Sequence, residues 1–204
     1  TISVQNPTLA FVKNDTLLLS ALSITEIAGS GTDDFEQNQV TAATVTISDE
    51  ATNTGFFYFR SSVINANTTF TINADFYEAY QGGNTFNGNT TFNFVNANPV
   101  HICYQNQSAF NGNMTVNRTV AGSTEIFENG FTAVTGNFTY TNNVGGISYI
   151  NGSGVASGTI GGTVNINVSG GGNFSLRAIK NSTTGGTISV QNPTLAFVKN
   201  DTLL

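Results

Sequence analysis

The sequence predicts an all-β fold, a single antiparallel β-sandwich completed by a donated strand. Three observations predict it. Apolar and polar residues alternate with a period of two in run after run, the signature of strands with one buried face. Gly, Asn and Ser separate these runs at intervals of about eight to twelve residues, the spacing of short strands joined by turns. An eighteen-residue segment with strand character occurs twice, at the two ends of the chain.

The runs follow in order. Residues 17–27 are apolar and β-branched, and 40–48 carry Val45 and Ile47. Residues 55–63 contain Phe56, Phe57, Tyr58 and Phe59, while 69–77 set Phe70, Ile72 and Ala74 on one face. Residues 90–95 hold Phe92 and Phe94, and 136–141 align Phe138 with Tyr140. Residues 163–168 align Val164, Ile166 and Val168, and 173–179 align Phe174, Leu176 and Ala178. The glycines dense over 145–172 read as hairpin turns and bulges. Helices are expected to be nearly absent.

Residues 1–18 read TISVQNPTLAFVKNDTLL, and residues 187–204 repeat them without one substitution. Chance does not give such identity, and an old duplication would have drifted. Either a copy was appended at the C terminus, or the second copy stands for the first segment of a neighbouring subunit. In both cases the segment belongs in a groove that its own domain leaves empty. The expected organisation is a donor strand over 1–18, a sandwich body over 19–184, and a duplicate strand over 187–204 filling the acceptor groove after a Gly185-Gly186 joint. Because only this segment recurs, the interior is not expected to be a solenoid. Ile2, Val4, Leu9 and Phe11, with their equivalents Ile188, Val190, Leu195 and Phe197, are the expected buried anchors. Pro7 and Pro193 interrupt the alternation, so the two halves of the segment are free to use different registers.

Charged residues make up 9% of the chain and the net charge is −6, so amides and hydroxyls must cover the surface. The six basic residues are scattered singly, which excludes an electrostatic footprint for nucleic acid or an anionic membrane. No run of about twenty apolar residues could span a bilayer, and Thr1 is read as a mature N terminus. Asn-X-Ser/Thr begins at Asn14, Asn67, Asn89, Asn106, Asn113, Asn117, Asn137, Asn151, Asn167, Asn173, Asn181 and Asn200, and these are the N-glycosylation candidates. A surface of amides, hydroxyls and neutral sugars keeps its character when carboxylates protonate, so little change of stability with pH is expected.

Chemistry is sparse. Cys103 reads as a small buried hydrophobe, since His101 sits too far along the same strand face to activate it. Asp33, Asp34 and Glu36, with Asp49 and Glu50, match no calcium loop and read as a solvated loop. Lys13, Lys180 and Lys199 read as exposed amines and not as isopeptide partners. No nucleophile elbow, zinc-protease, phosphate-loop or dinucleotide pattern occurs. The expectation is no enzyme, no cofactor and no metal.

On the donor-like segment, the sequon density and the low charge, the chain resembles the subunits of archaeal thread filaments of the Sulfolobus type. That resemblance implies a pilin-like or immunoglobulin-like sandwich. It implies an extracellular, glycosylated cell-surface filament of identical subunits joined head to tail, serving adhesion or cell–cell contact. The alternative is a carbohydrate-binding surface-layer or adhesin domain.

Overall fold

The computed structural model describes residues 2–4, 9–26, 31–49, 55–151, 154, 158–199 and 201–203. They form a parallel β-solenoid with no helix. The expected antiparallel β-sandwich is thereby corrected, and with it the expectation that the interior is not a solenoid. Each strand pairs in parallel with the strand one coil before and one coil after it, as Thr90–Phe94 does with Val63–Ile72 and Met114–Arg118.

Each coil has three faces. Face 1 stacks Ile2–Val4, Leu22–Glu26, the later parts of Gln39–Asp49 and Val63–Ile72, then Thr90–Phe94, Met114–Arg118, Phe138–Asn142, Val164–Val168 and Gly186–Val190. Face 2 stacks Leu9–Lys13, Thr32–Glu36, Phe56–Arg60, Asp75–Glu78, Val100–His101, Gly122–Ile126, Gly146–Ile150, Gly172–Arg177 and Pro193–Lys199. Face 3 is short: Thr16–Leu18, the early parts of Gln39–Asp49 and Val63–Ile72, then Thr85–Phe86, Ala109–Phe110, Ala133–Val134, Thr159–Ile160 and Lys180–Asn181. Faces 1 and 3 belong to one sheet because Gln39–Asp49 and Val63–Ile72 run unbroken through the corner between them.

The register defines columns. On face 1, Ile2, Ile24, Ile47, Phe70, Phe92, Val116, Tyr140, Ile166 and Ile188 follow one another in eight steps. On face 2, Ala10, Asp33, Phe57, Phe76, Val100, Thr124, Ser148, Phe174 and Ala196 do the same. Inward columns put like on like. Phe70 stacks on Phe92 at 4.8 Å and Phe86 on Phe110 at 5.2 Å, both nearly coplanar. Offset ring pairs of this kind add about 0.5–1.5 kcal/mol beyond burial. Further along, Tyr140, Ile166 and Val168 take over the core.

Corners leave main-chain N–H and C=O groups that strands do not satisfy, and side chains of the same or a neighbouring coil pair with them. At the corner between faces 2 and 3, Asp15 N–H donates to Asn38 Oδ1 (3.0 Å), Asn38 N–H to Ser62 Oγ (3.1 Å), Ser62 N–H to Asn84 Oδ1 (2.8 Å) and Asn84 N–H to Ser108 Oγ (2.8 Å). At the corner between faces 3 and 1, Asn67, Asn89, Asn113 and Asn137 each accept with Oδ1 from the N–H one coil on, at 2.8–2.9 Å. Between faces 1 and 2, buried Arg118 donates to the carbonyls of Asn96, Asn98, Val120 and Ser123 at 2.8–3.1 Å.

Two sequence expectations change with this geometry. The acidic run is not a solvated loop but the strand Thr32–Glu36, in which Asp33 points inward and buries both oxygens without a hydrogen-bond partner. Glu50 lies outside the described residues. The second copy of the repeated segment does not lie in a groove between two strands. Among the described residues Gly186–Val190 pairs only with Val164–Val168, and Pro193–Lys199 only with Gly172–Arg177, so it forms an end coil.

Several glycines of 145–172 mark corners and not hairpins. Gly146 holds φ at +96°, and a Cβ there would lie 2.3 Å from the carbonyl oxygen of Gly122 in the preceding coil. Gly154 holds φ at +71°, but among the described residues the nearest neighbour of a Cβ there would be Arg177 Cδ, 3.7 Å away. Gly146→Ala is expected to cost about 1–3 kcal/mol from backbone strain, plus the clash, and Gly154→Ala distinctly less. Denaturant unfolding of the two variants checks the difference, which should vanish if the corner is not built as described.

Candidate functional site: an aromatic and charged platform on face 2

The outer surface of face 2 gathers much of the chemistry that the sequence scatters. Tyr58, Tyr77 and His101 occupy successive positions of one outward column, and Glu125 and Tyr149 continue it. The His101 ring lies on Tyr77 at 4.9 Å with 7° between planes. Tyr58 meets Tyr77 at 5.5 Å and Tyr80 at 4.7 Å, and Tyr104 closes on Tyr77 at 5.0 Å. Phe56, 43% exposed, extends the patch at its margin, 6.3 Å from Tyr58. The coil spacing of about 4.8 Å sets this stacking distance.

The platform is held from beneath by Glu78. This residue follows Tyr77 and is fully buried. Its carboxylate accepts from Asn84 Nδ2 (2.7 Å), Ser108 Oγ (2.5 Å) and the N–H of Cys103 (2.8 Å). Tyr104 N–H donates to the Glu78 carbonyl (2.9 Å). The network fixes a sharp corner where Ala79, Gln81 and Cys103 all have positive φ, and so aims Tyr80 and Tyr104 outward. Cys103 is a fully buried thiol whose pKa is pushed well up by burial, with the Glu78 charge adding to it. That agrees with its reading as a small core residue.

Charge lies on either side of the rings. Arg60 grips Asp34 with Nε (3.0 Å) and Nη2 (2.7 Å), reaches Glu36 at 3.3 Å and lies 5.7 Å from the Tyr80 ring. Lys13 bridges Asp34 (3.0 Å) and Glu36 (2.6 Å), and hydrogen bonding to Glu36, then Asp34, raises its pKa. Beyond the rings, His101 Nδ1 bonds Glu128 Oε2 at 2.7 Å. Burial raises the Asp75 carboxyl, and burial followed by the Glu128 charge raises Glu125. Burial likewise raises the phenols of Tyr58 and Tyr77.

Among the described residues His101, Glu125 and Glu128 offer ligand atoms within 4.8 Å of one another and could hold a metal ion. The tilted rings form an aromatic surface of the kind that contacts planar or pyranose groups. Glu125 and Glu128 stand side by side, whereas glycoside hydrolysis requires carboxylates on opposite sides of the scissile bond.

The residues singled out in the sequence are distributed differently. Ile188 and Val190 lie in the register columns of Ile166 and Val168, while Leu195 pairs with outward-facing Asn173 and is 47% exposed. After the proline the inward columns are those of Ala196 and Val198. The side chains of Ile2, Val4, Leu9, Phe11, Phe197 and Lys199 lie outside what is described. Among the sequons, Asn14, Asn67, Asn89, Asn106, Asn113, Asn137 and Asn167 are exposed, and Asn117 and Asn173 are half-buried. Asn151 and Asn181 are buried, and Asn200 lies outside the described residues. Sequence reading missed the platform. The signal available was spacing: His101, Glu125 and Tyr149 recur at one interval, and so do Asn89, Asn113 and Asn137.

Glu78 generates a prediction with a definite sign. Burial raises its pKa above the ordinary 4.5. The folded state therefore binds a proton that the unfolded chain has released. Stability is highest below the ordinary value and falls as pH rises from there through the folded value. Asp75 and Glu125 act in the same direction. The midpoint of thermal unfolding should be higher at about pH 4 than at about pH 8, and Glu78→Gln should shrink that difference. An unchanged pH profile in the variant would remove Glu78 as its source.

Comparison with protein-family models, with curated proteins and with solved structures returned no match for the chain.

Proposed function

We propose that the chain is a structural subunit of an extracellular, glycosylated filament, joined head to tail through its eighteen-residue segment. Adhesion or cell–cell contact is the role of the assembled thread. One observation carries this reading: the same segment forms the end coil at both poles of the solenoid. Among the described residues the strands Gly186–Val190 and Pro193–Lys199 lie at the edges of their sheets, and such an edge is a template for another chain. The join is a coil laid on a coil, in place of a strand slotted into a sandwich. We read the subunit as non-enzymatic, on the side-by-side placement of Glu125 and Glu128.

The exposed sequon ladder supports glycosylation. Asn67, Asn89, Asn113 and Asn137 use the amide oxygen to hold the next coil, whereas an N-glycan takes the amide nitrogen. Neighbouring rungs about 4.8 Å apart leave too little width for a sugar on each. Electron microscopy of native material should show threads, and intact mass should exceed the 21.4 kDa chain mass. Glycopeptide mapping should find these four asparagines only partly occupied on any one molecule. Native material that is monomeric and has the bare chain mass would end the filament reading.

The platform favours a second reading, a carbohydrate-binding surface or adhesin domain. Tyr77 stacks on His101 and Tyr58 on Tyr80, the two pairs meet at a tilt of 45°, and the cluster offers aromatic surface flanked by hydrogen-bonding charges. Titration calorimetry with neutral oligosaccharides should show binding that Tyr77→Ala weakens about tenfold or more, as losing a stacking ring implies. Heat changes that are identical for the variant and the parent chain would exclude the platform as a sugar site.

A further inference from the structure

The register carries one inference further. The repeated segment recurs at an offset of 186 residues, and on each face the solenoid crosses that offset in eight coils. Ile2 leads by eight steps of pairing to its own copy, Ile188, and Ala10 to its copy, Ala196. On face 3, Thr16 leads through Gln39, Val63, Thr85 and the pairs beyond them to Lys180, whose bridge partner is Thr202, the copy of Thr16. The steps between rungs vary from 19 to 26 residues. A copy that shared only its sequence would have no reason to return to the same column on all three faces.

We infer that residues 1–186 form a unit of translation, and that the open side of the last coil is the docking face for residues 19 onward of a second copy, with residues 187–204 taking the place of that copy's own residues 1–18. The two poles then join as one uninterrupted solenoid. The occupant is fixed by what already covers the first copy. Val12 packs against the core beneath the coil that follows it, while its equivalent Val198 has no such cover and is 61% exposed. Asn38 of the following coil donates from Nδ2 to the Val12 carbonyl at 2.7 Å and accepts from Asp15 N–H at 3.0 Å. The equivalent of that carbonyl, at Val198, stands at the end of the last coil. Ile188 is 39% exposed although Ile166, one rung earlier in its column, is 1% exposed. Each of these losses is repaired by the one sequence that follows residue 18. The inference does not depend on the filament reading; it names the partner, a second copy of this block, that such a filament would use.

The test is a two-block chain, residues 1–204 followed directly by residues 19–204. Small-angle scattering should show a single rod with the cross-section of the parent chain, longer by about 38 Å, eight rungs at about 4.8 Å. Two bodies on a flexible joint, or a thicker particle, would overturn the inference. Should the long chain not fold, residues 1–204 followed by 19–49 make the same test by hydrogen exchange. Amides of 187–203 that face the open edge should exchange at least about tenfold more slowly once a coil covers them. Unchanged exchange would overturn it as well. Stacking in these chains, with native material that forms no thread, would leave the inference standing and remove the filament reading. Native threads with no stacking would do the reverse.

Discussion

Everything in this molecule depends on the parallel main-chain ladder between one coil and the next. Parallel pairing allows no tight hairpin, so the chain must travel round two further faces before it returns beside itself. That journey consumes most of the residues in each coil and creates three corners whose N–H and C=O groups need partners. The chain meets the need with amides and hydroxyls. Asn38, Ser62, Asn84 and Ser108 serve one corner, and Asn67, Asn89, Asn113 and Asn137 another. Arg118 serves the third with four carbonyl acceptors and no carboxylate. The abundance of asparagine therefore has a structural origin.

Stacking in register has a second effect, on the core. A residue's nearest neighbours are its equivalents one coil away, so a phenylalanine is best placed above another phenylalanine. The columns through Phe70 and Phe92, and through Phe86 and Phe110, show it. On the outer side of face 2 the same rule stacks Tyr58, Tyr77 and His101. Platform and core are two faces of one strand alternation.

Much of this was legible in the sequence, and the part that was not has a physical reason. Alternation in 90–95, 136–141 and 163–168 identified strands with one buried face, and the structure has strands there, whereas 69–77 is divided by a corner at Asn73–Ala74 between Val63–Ile72 and Asp75–Glu78. Alternation says nothing about the direction of the neighbouring strand, so a sandwich and a solenoid read alike. Turn chemistry did not separate them, because glycine and asparagine suit a solenoid corner and a hairpin equally. The discriminating signal was the recurrence of Asn-X-Thr ahead of an apolar alternation at Asn67, Asn89, Asn113 and Asn137. Its steps vary because corners tolerate added or missing residues, which hides the repeat from a search for identity. The platform was illegible for the same reason: Tyr77 and His101 become neighbours only once the coil length is known.

One consequence of the coil geometry concerns force. Along the solenoid axis each coil advances only about 4.8 Å, yet it stores a length of chain that extends to roughly 70–90 Å. A single covalent strand crosses each boundary between coils, and three ladders run across it side by side. A pull along the axis therefore loads successive boundaries in series, and the weakest parts first. When it parts, it pays out its stored chain and relieves the rest. Such a body is stiff under small loads and yields by lengthening, in discrete instalments, before any backbone bond is strained.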